Sequence, residues 1–210
     1  MLNKPIVMLD FETSGLSPDY GDRITEVAAI RIVGNEIVDR YVSLVNCKIR
    51  IPRFITELTG ITQSMVNSAP QADCVIPELL DFIGSDILAA HNASFDNKFL
   101  VAESVRLGLI PRNESLVCSL KLARRIYPGL RSYKLMDVSS SLGINFKSRA
   151  HRAEADAEVA AKLILHVSKQ LCRDYGLASL ESGVFAQINK LSAAKVPSFL
   201  AKKFSSATNS

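Results

Sequence analysis

Asp10-Phe11-Glu12 sets two carboxylates two positions apart at the end of an apolar run, Ile6 to Glu12. On an extended strand, residues two apart project from one face, so both acids stand on the side of Ile6 and Met8. Two like charges on the apolar face of a sheet are costly unless something positive lies between them. A divalent cation meets that need, and hard cations such as Mg²⁺ take oxygen ligands. An isolated Asp-x-Glu fits a blander arrangement equally well, with the strand ending at Leu9 and two hydrated turn residues after it. Thr13-Ser14-Gly15 follows, adding hydroxyls and backbone amides suited to holding a strand terminus.

Two further acids stand in comparable settings. His91-Asn92-Ala93-Ser94-Phe95-Asp96 follows the short apolar run Ile87 to Ala90, and His151-Arg152-Ala153-Glu154-Ala155-Asp156 opens the last long helical pattern. Strand ends that feed helix starts are where α/β sheets place ligands. Asp96 in a first helical turn also suits the helix dipole, an ordinary capping role. A neutral imidazole, with an ordinary pKa of about 6.5, is suited to take a proton from a water beside a metal. His91/Asp96 and His151/Asp156 have identical spacing, so spacing leaves open which histidine does so. His166 lies on the same helix as Asp156 but roughly three turns on, and reads as structural or hydrated. Together the four acids and an imidazole fit phosphodiester hydrolysis with two divalent ions about 4 Å apart.

These residues need a sheet whose strand ends meet helix starts. Ile6–Glu12 is apolar on both alternations, the pattern of a central strand buried on both faces. Ile24–Val33 and Glu36–Val45 are rich in Val and Ile and are separated by Gly34-Asn35, a hairpin signal. Short helical pieces follow near Pro52–Leu58 and Thr62–Asn67, then a helix over Ala72–Ile83 stopped by Gly84. Ile87–Ala90 is a short strand. Helices are expected over Phe95–Leu107, Leu120–Ile126, Lys134–Leu142 and about Ala153–Leu171, the last with Val159, Leu163, Val167 and Leu171 on one stripe. The order βββ, α, β, α and more helices predicts an α/β mixed sheet flanked by helices.

Composition sets the outer limits. The 210 residues, 48% hydrophobic with both charge signs dispersed, suit one soluble domain with a short appendage. No apolar run approaches the roughly 18 residues of a membrane span. Met1 to Asp10 lacks the pattern of a secretory leader, so a cytoplasmic setting is expected. Cys47, Cys74, Cys118 and Cys172 fit neither a zinc nor a disulfide pattern and are expected as buried thiols in a reducing compartment. The net charge of +4 resides in residues 168–210, with six basic residues against two acidic. Within the neutral remainder, Arg112 to Arg152 holds Arg112, Lys121, Arg124, Arg125, Arg131, Lys134, Lys147, Arg149 and Arg152 against Glu114 and Asp137. That run is either a hydrated helix face or a phosphate track.

Read together, Asp10 to Leu16, His91 to Asp96 and His151 to Ala157 resemble the three motifs of the DEDDh (DnaQ-like) 3′→5′ exonucleases. That family includes the proofreading epsilon subunit of bacterial DNA polymerase III. Leu58-Thr59-Gly60-Ile61-Thr62 and Ser132-Tyr133-Lys134-Leu135 also resemble family stretches. The resemblance covers roughly Ile6 to Val167, and three ordered motifs are far more specific than one. It implies a ribonuclease H-like fold with a five-stranded mixed sheet. It further implies that Asp10, Glu12, Asp156 and Asp96 hold two divalent ions, Mg²⁺ or Mn²⁺. His151 matches the family's general base. Thr13, Ser14 and Gly15 would grip the terminal nucleotide, Leu16 and Ile61 would wedge its base, and Phe95 would pack nearby. Asn92 and Lys134 complete the expected substrate contacts. Ser14 stands where many relatives have Thr and keeps the hydroxyl.

The implied activity is removal of nucleoside 5′-monophosphates from a 3′ end, single-stranded DNA being the leading substrate. An RNA-trimming enzyme with the same site is the alternative. A non-catalytic nucleic-acid-binding module ranks third, because all five positions are filled. Some of Arg125, Arg131, Lys134, Arg149 and Arg152 are expected to contact phosphates, with activity falling steeply as salt rises. The catalytic domain is expected over residues 1–175, with a C-terminal extension over 176–210 made of a helical segment and a polar tail. In that extension Val184, Ile188 and Leu191 have helical spacing, followed by Pro197, Phe199 and Leu200. It is expected either to dock a polymerase or other protein partner, or to fold back on the domain or onto a second copy, with fold-back slightly preferred.

Overall fold

The computed structural model describes residues 1–113, 115–144 and 151–205. Lys147 and Arg149 lie outside the described residues, as do Glu114 and the polar tail 206–210. The chain begins with β1 (Leu2–Thr13), β2 (Ile24–Gly34) and β3 (Glu36–Leu44). Three helices follow, α1 (Arg53–Thr59), α2 (Gln63–Asn67) and α3 (Ala72–Ile83). Next come β4 (Ile87–Ala90), α4 (Ala93–Arg106) and β5 (Leu116–Cys118). The rest is helical: α5 (Ser119–Ile126), α6 (Leu135–Ser141), α7 (Ala153–Asp174), α8 (Val184–Lys190) and α9 (Val196–Phe204).

The five strands form one mixed sheet in the order β3-β2-β1-β4-β5. β1–β2 and β2–β3 are antiparallel, whereas β1–β4 and β4–β5 are parallel. The antiparallel half is a meander whose tightest link is Gly34-Asn35, where Gly34 takes the left-handed φ of 62° that a two-residue hairpin demands.

Alternation along β1 divides the core. Ile6 and Met8 join Ala28, Ile30 and Ile32 beneath α7, which approaches closely because Ala153, Ala157, Ala160 and Ala161 line its inner side. Val7, Leu9 and Phe11 face the other way, onto Val75, Ile76 and Leu79 of α3 and Phe99 and Leu100 of α4. A smaller cluster of Cys47, Ile51, Ile55, Ile61 and Val66 lies under α1 and α2.

Residues 177–205 pack on this framework. Leu180, Val184, Phe185, Ile188, Val196, Leu200 and Phe204 are buried in the core on the α7 side. The Leu180 amide donates to the Met1 carbonyl (2.7 Å), and the Asn3 amide donates to the Leu180 carbonyl (3.1 Å). These bonds extend β1 back to Leu2, beyond the apolar run that begins at Ile6. Asn189 Oδ1 accepts from the Cys118 amide (2.6 Å) and Arg125 Nε donates to the Leu191 carbonyl (2.7 Å), so α8 closes over β5.

All four cysteines are free, but only Cys47 and Cys118 are buried. The expectation of four buried thiols is corrected at Cys74, which lies beside Asp73 on the hydrated side of α3, and at Cys172, which is half-buried. Among the described residues no helix is long and apolar enough to cross a membrane.

Candidate active site

The parallel pair β1–β4 ends at Leu9 opposite Ala90, while β1 runs on to Thr13. Asp10 and Glu12 therefore project past the end of β4, on the face that α7 covers. The first turn of α7 brings Asp156 to them. Carboxylate oxygens of Asp10, Glu12 and Asp156 all lie within 4.8 Å of one another. Asp96 arrives from the opposite face, on the first turn of α4. It is buried, and its Oδ1 accepts from the Phe11 amide (3.2 Å), between the two acids of β1.

Burial acts on all four carboxyls, and repulsion from neighbouring acids adds to it at Asp10, Glu12 and Asp156. Burial, then Asp96, Asp156, Glu12 and Glu26, push the Asp10 carboxyl well above the usual range. Burial and the neighbouring acids Asp156 and Glu26 raise Glu12 to about 8, opposed by Arg152. Burial raises Asp96 to about 7 against the Phe11 amide, and it also raises Asp156 against the nearby His151. Hard oxygen donors at this spacing, unable all to ionise by themselves, fit divalent cations.

The two histidines differ sharply. His91 is largely enclosed, with Nδ1 2.9 Å from Ser119 Oγ and Nε2 3.0 Å from the Tyr133 carbonyl oxygen. A carbonyl only accepts, so Nε2 carries the proton and Nδ1 takes the serine hydroxyl. Desolvation lowers its pKa to about 4. His91 is thus a neutral brace joining the end of β4 to α5 and the segment before α6. His151 is exposed, has a φ of 63°, and donates its amide to Asp156 Oδ2 (3.0 Å).

The loop after β1 is held from within. Thr13 Oγ1 donates to the Gly15 carbonyl (2.6 Å), and Ser14 Oγ accepts from the Arg23 amide (3.0 Å) while donating to Asp22 Oδ1 (3.3 Å). Both side chains are buried, so their hydroxyls serve the loop. A Cβ at Gly15 would overlap the Asp22 carboxylate and displace it from Ser14 and Ser17. The result is a hydrogen-bonded platform from which Leu16, 80% exposed, projects into solvent. Lys98 Nζ donates to the Leu16 carbonyl (2.6 Å) and lies 5.4 Å from the Phe95 ring centroid, joining the platform to α4.

The remaining expectations divide. Asn92 is exposed in a left-handed conformation (φ 68°) just ahead of α4, and Phe95 is half-buried, its ring 5.1 Å from that of Phe99. Lys134 and Arg131 are exposed. Ile61 is corrected: it is fully buried among Cys47, Ile51, Ile55 and Val66, leaving no surface for a base. The exposed apolar residue of that stretch is Leu58, on the outer side of α1. Arg152 and Arg125 are also redirected. Arg152 grips Glu26 and Arg125 holds the carbonyls of Leu191 and Lys121. Glu26 went unnoticed in the sequence, although an acid inside the apolar run Ile24 to Ile30 is the signal that finds it.

Comparison with known proteins agrees with this geometry. Residues 7–164 match the RNase_T family, described as exonuclease. The DNA polymerase III epsilon subunit of Aquifex aeolicus is 33% identical over 192 residues, covering 88% of this chain and 94% of that protein. The PolC-type DNA polymerase III of Clostridium perfringens is 35% identical over 191 residues, 91% of this chain but 13% of that protein. The chain thus spans only 11–13% of the length of the PolC-type relatives it matches. Among solved structures, Exonuclease X in complex with 5′ overhanging duplex DNA aligns with a TM-score of 0.68 at 27% identity, covering 88% of this chain and 99% of that one. With its five-stranded mixed sheet in the ribonuclease H-like arrangement and its family match over residues 7–164, the chain belongs to the DnaQ-like 3′→5′ exonucleases.

Proposed function

We propose that this chain is a cytoplasmic, divalent-metal-dependent exonuclease that hydrolyses DNA from its 3′ end, releasing one nucleoside 5′-monophosphate at a time. The observation that carries this reading is the meeting of Asp10, Glu12 and Asp156 within 4.8 Å, beside the buried carboxylate of Asp96. Asp10, Glu12 and Asp156 would hold one Mg²⁺ or Mn²⁺, and Asp10 with Asp96 a second. When bound, such ions supply positive charge against the reacting phosphate and lower the pKa of a water.

The chain's own residues do the rest. His151, exposed at the mouth of the cluster and tied by its amide to Asp156, accepts the proton of the attacking water. His91 is unsuited to that role, since both ring nitrogens already have partners. The Thr13–Leu16 platform receives the terminal nucleotide, with the exposed Leu16 and Leu58 side chains available to its base. Arg131 and Lys134 meet phosphates further along the strand.

The likeness to an epsilon subunit over 94% of its length supports work beside a polymerase, as a proofreading subunit. The buried apolar residues of 177–205 already pack in the chain's own core, so a partner would bind elsewhere. Digestion of 5′-labelled single-stranded DNA and RNA with Mg²⁺, with Mn²⁺ and with chelator tests the reading. A ladder of single-nucleotide steps on DNA, lost with chelator and in Asp10→Ala, is the expected result. Preferential digestion of RNA would move the substrate class, and equal activity in Asp10→Ala would refute the mechanism.

A further inference from the structure

Glu26 is an acid placed where a strand core should be apolar. It is 2% exposed, on β2, directly opposite Glu12 in the β1–β2 register. Its carboxylate takes contacts from the two residues at the entrance to α7. Arg152 Nε lies 3.2 Å from Oε1 and 3.1 Å from Oε2, Arg152 Nη2 lies 2.5 Å from Oε1, and the Ala153 amide donates to Oε2 at 3.0 Å.

That last bond answers a local need. A helix start leaves amides without intrahelical partners, and Arg152, the residue before α7, provides no side-chain cap. Glu26 supplies the missing acceptor from another element. A planar guanidinium on a carboxylate adds a fixed orientation that a point charge lacks. The same short segment is fastened on its other side, where the Asp156 amide donates to the Arg152 carbonyl (3.1 Å) and Asp156 Oδ2 accepts from the His151 amide. His151, Arg152, Ala153 and Asp156 therefore form one unit with two attachments, Asp156 inside it and Glu26 outside. Arg152, while paired with Glu26, also places its charge near Glu12, where it opposes the surrounding acids.

We propose that Glu26 is a positioning residue of the active site: through Arg152 and the Ala153 amide it locks the entrance of α7 to β2, setting His151 and Asp156 against Asp10 and Glu12. The proposal rests on the exonuclease reading of those acids and adds a residue that touches neither metal nor substrate. Both carboxylate oxygens are in use, whereas glutamine, of equal size but uncharged, has an NH2 donor in place of one oxygen. It turns that donor on either the guanidinium or the Ala153 amide and cannot keep the two-oxygen grip on Arg152 together with the Ala153 bond.

The test uses Glu26→Gln, Arg152→Gln and the double variant in the full chain, with Mn²⁺ affinity, kcat, KM for a single-stranded oligonucleotide and Tm measured for each. In Glu26→Gln, Mn²⁺ affinity and kcat are expected to fall about 10–100-fold, the range for lost supporting partners of metal ligands, with KM within about twofold. The double variant should be no worse than Glu26→Gln, because both changes break one link. A Glu26→Gln protein that loses only Tm, with Mn²⁺ affinity and kcat within about twofold, overturns the proposal, as do fully additive losses in the double variant. Should Glu26→Gln fail to fold, Arg152→Gln, which keeps the Ala153 bond, decides on the same readouts, weakened Mn²⁺ binding supporting the proposal and unchanged binding overturning it. A wild-type chain that binds Mn²⁺ but leaves DNA intact would refute the nuclease reading, and the affinity comparison would still judge Glu26.

Discussion

His91 and His151 each stand five residues before an aspartate at the entrance to a helix, yet the fold uses the two pairs in opposite ways. In the first pair the histidine is enclosed, both ring nitrogens are bonded, and Asp96 turns away from it to the Phe11 amide. In the second the histidine is exposed and its amide is tied to its own aspartate. What separates them is tertiary. β4 is flanked by β1 and β5, so the residue after it is walled in by Ser119 and Tyr133. The entrance of α7 lies over the antiparallel half, where Glu26 of β2 accepts the Ala153 amide and Arg40 of β3 pairs with Glu154. Equal spacing thus positions two carboxylates and says nothing about which imidazole meets solvent.

Substitution should separate the pairs by kind of effect as well as size. His151→Ala is expected to lower kcat by about 10²–10⁴-fold, the range for a lost general base, with Mn²⁺ binding largely intact. Single-turnover digestion measures this, and an unchanged rate would erase the distinction. His91→Ala should do the reverse. It strips the Ser119 hydroxyl and the Tyr133 carbonyl of their partner, a loss of about 1–3 kcal/mol. Thermal melting should drop by several degrees, about 2–4 °C for each kcal/mol, with kcat per folded molecule within about threefold. Lost activity at an unchanged Tm would break the comparison from the other side.

A subtler contrast lies in pH. Glu12 and Asp96 hold protons up to about 8 and about 7 in the folded chain, well above their unfolded values. Between those limits the unfolded state binds fewer protons, so stability without metal should fall as pH rises. His91, lowered to about 4, acts in the opposite sense, losing stability as pH drops below about 6.5. Between about pH 6.5 and 8 the acids alone should govern. Melting curves in chelator should decline across that window by a few degrees, and saturating Mg²⁺ should abolish the decline. A flat curve in chelator would mean that the cluster is not frustrated.

Much of this was legible in the residues. Strands buried on both faces declare themselves as apolar runs, and Gly34-Asn35 and Gly84 mark a hairpin and a helix end. Asp10, Glu12, Asp96 and Asp156 stood out because acids at such boundaries need a reason. Other features depend on long-range contacts that no local pattern encodes. β5 has three residues, too few to show an alternation, and its edge is closed by Asn189 from α8. Ile61 carries the right residue type for a base contact, but α1 and α2 fold over it and leave Leu58 outside. Arg152 reads as one more cation in a basic run until Glu26, 126 positions away, is found beneath it.

Anomalous diffraction from crystals of the full chain grown with Mn²⁺ tests the central claim most directly. The expected result is Mn²⁺ bound by oxygens of Asp10, Glu12 and Asp156 at about 2.1 Å, with a second peak beside Asp10 and Asp96 and the His151 imidazole facing the pair. Mn²⁺ absent from this cluster at saturating concentration, with the carboxylates turned apart, would contradict it.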